Sequence, residues 1–167
     1  MKKINSTIQF FIGAISILPL WCIGGFANIA YFNYDIPVYT HIVSLAAVAL
    51  IVVLLFVFTF VCKYKSLNAM YMGAVIATTL PVLSNFLSSI FSNDGNILSW
   101  IFAFTLGIVL YPFGRLAYEA FDGISSFYFC FVNESFIEPH SIAFMLAIAI
   151  IISVILYLII KPKKALN

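Results

Sequence analysis

From Ile42 to Cys62 the chain carries no charged side chain. As a helix, such a run is about 30 Å long, the thickness of a bilayer's hydrocarbon core. Four further apolar segments accompany it, at 8–32, 68–91, 97–117 and 141–160, the run itself belonging to 41–62. Where no water can satisfy an exposed backbone, only helices or a closed barrel span a membrane. Barrel strands would show alternating segments of about 10 residues, whereas these runs are continuous and about twice as long. The sequence therefore predicts an all-α, polytopic helical membrane protein forming one embedded domain over 1–167. Composition agrees, because 64% of the 167 residues are hydrophobic and 8% are charged, against about 45–50% and 25% in soluble domains. A chain this short leaves roughly a third of its surface exposed, so water cannot be the only solvent.

The first segment follows Lys2 and Lys3 and is too long, with no small-x-small cleavage site, for a removed leader. It reads as a retained signal anchor, with Pro19 and Gly24–Gly25 predicted to bend it. Basic residues stay on the cytoplasmic side. With the N-terminus cytoplasmic, Lys63 and Lys65 fall there too. Two arrangements remain. If 97–117 crosses fully there are five spans, and Lys161, Lys163 and Lys164 lie outside. If that fourth segment in order is re-entrant or interfacial there are four full spans, and every lysine is cytoplasmic. Its uninterrupted apolar run, Ile97 to Tyr111, is about 22 Å as a helix and short of a span. Charge placement favours four spans. The excess of Lys over Arg, with abundant Ile, Phe and Asn, points to an AT-rich bacterial gene and hence to a bacterial inner membrane.

The third segment is the most polar of the five. Ala69, Gly73 and Ala77 recur every four residues on one face, the spacing that lets another helix approach closely. Thr78, Thr79, Ser84, Asn85 and Ser88 follow. They are candidates for helix packing, or for lining a pore if several copies assemble.

Arg115 is the sole arginine, four residues before Glu119, so the two can pair on a helix. A charge inside a membrane is a functional candidate, and an anchoring pair at a helix end is the plainer reading. With Asp122 they lead into an aromatic and acidic stretch, Ile124 to Pro139, containing Phe127, Tyr128, Phe129, Glu134 and Glu138. That stretch is too apolar for a free loop and too short for a span. It is expected to lie in the interface or against a partner, and it is the best candidate for recognition.

His41 and His140 open the second and fifth segments beside carboxylates, but neither has the spacing of a metal site. They read as interface residues. Cys22, Cys62 and Cys130 form no CxxC pair, so neither a disulfide framework nor a zinc site is expected. No GxSxG, Walker, GxGxxG or HExxH pattern occurs. No enzyme activity, cofactor or metal is expected, and the charge of +2 gives no reason to expect nucleic acid.

In size, span count and lack of a catalytic set, the chain resembles small bacterial immunity, exclusion and phage-defence membrane proteins. The colicin-type immunity proteins and the membrane subunit of Kiwa defence systems share that general build. The resemblance is one of architecture and transfers no residue. It implies a protein acting by contact on an incoming agent, with the bilayer around it and a second copy or a protein partner beside it. The alternative is a small channel or transporter subunit whose third span lines the path.

Overall fold

The computed structural model describes residues 5–29, 38–91, 108–131 and 138–160. They form five helices and, among the described residues, no strand: α1 (Ser6–Ile29), α2 (Val38–Lys65), α3 (Asn68–Phe91), α4 (Ile108–Phe131) and α5 (Pro139–Ile159). Four of them, α1, α2, α3 and α5, are long and apolar enough to cross a membrane. This is a helical membrane protein.

A two-residue turn fixes α2 against α3. Leu67 N–H donates to Cys62 O at 2.8 Å and Ser66 N–H to Lys63 O at 3.4 Å, with Ser66 at φ 55°. This pattern satisfies the last free carbonyls of a helix and reverses the chain. Gly13 of α1 sits beside Met70 and Ala74, close to the start of α3. At the same end, Tyr157 of α5 donates to Asn68 Oδ1 and stacks on Tyr71 at 3.9 Å. The start of α1, the α2–α3 turn and the end of α5 therefore share one end of the bundle. The end of α3 and the start of α5 lie at the other. Among the described residues there are thus four helices able to cross, and one further helix, α4.

The outward surface fits lipid. In α5 only the stripe Ala143, Leu146, Ile150 and Ser153 is buried, while Phe144, Met145, Ile151 and Leu158 are exposed. A helix that is apolar all round but buried on one stripe leaves the rest to an apolar solvent. Its one polar position on the buried stripe is satisfied: Ser153 Oγ lies 2.9 Å from both Thr59 Oγ1 and Tyr71 Oη, tying α5 to α2 and α3.

α4 differs from the segment read in the sequence. Its described part begins at Ile108, and it continues without a break through Asp122–Gly123 to Phe131. The helix thus takes in residues 124–131, expected to lie outside it; residues 97–107 lie outside the described residues. Gly114 and Gly123 are points of close packing. A Cβ on Gly123 would lie 2.5 Å from Ser44 Oγ, and one on Gly114 would lie 3.0 Å from Ser84 O.

Between these two glycines α4 advances about 13 Å. It meets α3 at Ser84–Asn85, α1 at Gly24–Asn28 and α2 at Ser44. The contacts of the two glycines, Ser84 on α3 and Ser44 on α2, differ in their distance from the α2–α3 turn by only about 8 Å. α4 therefore crosses the bundle obliquely, near the end opposite the α2–α3 turn.

This arrangement makes a prediction about sidedness. In a variant with Cys22, Cys62 and Cys130 replaced, single cysteines at Ser66 and Ile160 should react with an impermeant maleimide from the same side, and one at Tyr39 from the other. Ser66 and Ile160 reacting from opposite sides would refute four crossings.

Candidate functional site

The oblique course of α4 collects the polar groups of three helices into one cluster. Asn28 comes from the last turn of α1. Its Nδ2 donates to Glu119 Oε2 at 3.1 Å and to Asp122 Oδ2 at 3.2 Å. The two carboxylates are three residues apart, so one helical face presents both to the same amide. Glu119 also pairs with Arg115, one turn earlier on α4. Glu119 and Asn28 are each 3% exposed, whereas the Arg115 side chain is 38% exposed and leans over the Tyr118 ring at 5.7 Å. The guanidinium thus stays at the rim and the carboxylate goes inside.

α2 closes the cluster. Ser44 is fully buried and donates to Gly24 O at 2.9 Å. His41 precedes it by three residues on the same face and is 5% exposed. Buried polar atoms of Asn28 (Oδ1) and His41 (Nδ1) make no hydrogen bond among the described residues. Beneath the cluster Trp21 and Phe121 meet edge to face at 5.7 Å, both essentially buried.

Several sequence expectations change here. Arg115–Glu119 is an ion pair, as its spacing predicts, but it lies within α4 with its carboxylate buried, not at a helix end. His41 is buried one turn into α2, not at its opening, because α2 begins at Val38. His140 is exposed at the start of α5, as an interface residue would be, and Glu138 is exposed beside it. Asp122, Phe127 and Tyr128 are half-buried on α4. The side chains of Ser88 and Phe129, and the whole of Glu134, lie outside the described residues.

The small face of α3 is used inside the chain. A Cβ on Gly73 would lie 2.0 Å from Phe10 O, and one on Gly13 would lie 2.0 Å from Met70 O. Ala77 is buried and Ala69 half-buried along the same helix. The helix that this face admits at Gly73 is the protein's own α1. The hydroxyls of Thr78, Thr79 and Ser84 donate to the carbonyls of Ala74, Val75 and Leu80, each one turn back, at 2.7–2.8 Å. Such bonds satisfy a hydroxyl within its own helix. Asn85 is buried with its Oδ1 unbonded, next to the backbone contact of Gly114.

The sequence reading missed Asn28 and Ser44, single polar residues in apolar surroundings on different segments. Their one signal was being polar inside a span, which many packing residues share. Among the described residues, no group of three or more His, Cys, Asp or Glu has an arrangement able to hold a metal ion. No protein-family model, curated protein or solved structure matches the chain.

Proposed function

We propose that this is a non-enzymatic bacterial inner-membrane protein that acts by contact, presenting α4 to a partner. A defence, immunity or exclusion component, meeting an incoming agent at the membrane, fits that description. The observation that carries the reading is the posture of α4. It lies obliquely across the end of the bundle, held through Glu119 and Asp122, with Tyr111 and Tyr118 exposed along the edge beside them. A fixed helix with aromatic side chains turned outward is a suitable recognition surface, since such side chains add contact area at low entropic cost.

Orientation follows from charge. Lys63 and Lys65 close α2 at the end where α1 starts and α5 finishes, which is cytoplasmic by the positive-inside rule. α4 then faces outward, where an external agent or the external part of a second copy would meet it. The channel alternative draws less support, because the hydroxyls of Thr78, Thr79 and Ser84 are bonded within α3.

Photo-crosslinking residues at 111 and 118, with 155 on the lipid-facing side of α5 as control, test the reading in intact cells. Discrete protein adducts are expected from the first two positions and none from 155. Adducts to lipid alone at all three would refute it.

A further inference from the structure

We propose that the end of the bundle carrying the α2–α3 turn holds an anionic phospholipid by its phosphate, at the ammonium of Lys63. The first observation is where the charges fall. Lys63 and Lys65 end α2 on this side. In the sequence Lys2, Lys3, Lys161, Lys163 and Lys164 stand within five residues of a helix end there, before α1 or after α5. The carboxylates are elsewhere. Glu119 and Asp122 lie by the last turn of α1, and Glu138 precedes α5. Asp35, Asp94 and Glu134 stand within five residues of helix ends on that far side. The lysines thus have no carboxylate to balance them, and a positive end of this kind draws an anion from outside the chain.

The second observation is that one of these ammonium groups is held in place. The Lys63 ammonium lies over the Tyr157 ring, 4.6 Å from its centroid. That ring is fixed in turn, stacked on Tyr71 and hydrogen-bonded through its hydroxyl to Asn68. A lysine tethered in this way has already given up rotamer freedom, so ordering it around a ligand costs less. An ammonium carries three N–H donors, and no described carboxylate pairs with Lys63. The surroundings name the ligand. Val61 and Tyr64 on the last turns of α2, and Ile155, Leu158 and Ile159 on those of α5, are exposed. A molecule that settles here must offer apolar chains as well as a negative charge, and a phospholipid offers both. A soluble acidic protein would first have to strip lipid from those side chains. This inference concerns the end away from α4 and does not need α4 to contact a partner.

Native mass spectrometry of the full chain, released from detergent micelles with added phosphatidylglycerol or phosphatidylcholine, measures the first bound lipid of each kind. Phosphatidylglycerol should bind more tightly, and Lys63→Gln should weaken it by about fivefold or more. Lys65→Gln, the same change of charge at an exposed lysine two residues on, should weaken it distinctly less. Equal affinity for the two lipids, or equal losses in Lys63→Gln and Lys65→Gln, would overturn the proposal. Should Lys63→Gln fail to fold, the wild-type protein is tested by amine acylation in vesicles, read lysine by lysine. In vesicles of equal parts phosphatidylcholine and phosphatidylglycerol, Lys63 should react more slowly relative to Lys65 than in phosphatidylcholine alone. An unchanged ratio would overturn the proposal. The same slowing produced by inorganic phosphate in phosphatidylcholine vesicles would overturn it too, assigning the site to a free anion.

Discussion

Gly73→Ala should destabilise the protein by about 2–3 kcal/mol, at the upper end of the range for overpacked interiors. The added Cβ would sit 2.0 Å from Phe10 O, a backbone atom that cannot turn aside. Carbon and oxygen need more than 3 Å, so α1 must retreat from α3 by over 1 Å along this contact. Helices in lipid associate by close packing and have little hydrophobic drive to compensate, so a separated pair loses most of what held it. Gly13→Ala should cost a similar amount, because its Cβ would meet Met70 O at the same 2.0 Å. Both substitutions open one interface, and the double variant should lose much less than the sum. Gly24→Ala is the control. Its Cβ would meet only the side-chain carbons of Ala47 and Ala120, at 3.2 and 3.4 Å, and should change stability by well under 1 kcal/mol. Unfolding in mixed micelles measures all four. Wild-type stability in Gly73→Ala would show that the α1–α3 contact is looser than described.

The second large effect is expected from Asn28→Leu. It removes the donor shared by Glu119 and Asp122 and leaves two carboxylates facing each other across an apolar side chain. Hydrogen bonds to charged groups contribute about 1.5–3 kcal/mol each. Asp122 is half-buried and keeps some access to solvent, which puts the total at about 2–4 kcal/mol. The loss should be local. Hydrogen exchange should speed up across α4 while the α1–α3 contact stays protected, since Gly13 and Gly73 lie far from the cluster. In a Glu119→Gln background the same substitution should cost distinctly less, because one of the two anions is gone. An equal cost in both backgrounds would mean that Asn28 acts by packing and not through its amide.

These two sites show how differently the sequence displayed its parts. The Ala69–Gly73–Ala77 face was visible as a packing surface because its period matches the helix, but the pattern names no partner. The structure supplies that partner, Phe10 and Gly13 of α1. Arg115 and Glu119 were legible as a pair because they lie four apart on one helix. Asn28 joins them over a sequence separation that no local pattern records. The extent of α4 was not legible because it depends on packing: Gly114 and Gly123 let the helix lie against Ser84 and Ser44.

By itself the sequence determined the solvent and the class of fold. Apolar runs of this length leave the backbone no way to satisfy its hydrogen bonds in lipid except as helices, and that holds whatever they pack against. It also bounded the number of crossings to four or five. Only the tertiary structure brought the start of α1, the start of α3 and the end of α5 to one end, and only it gathered Asn28, Glu119 and Asp122. The physical reason is that insertion depends on each segment's own hydrophobicity, a sum over neighbouring residues. Which charge lies inside, and beside what, depends on the angle at which α4 crosses, which is set by packing across three other helices.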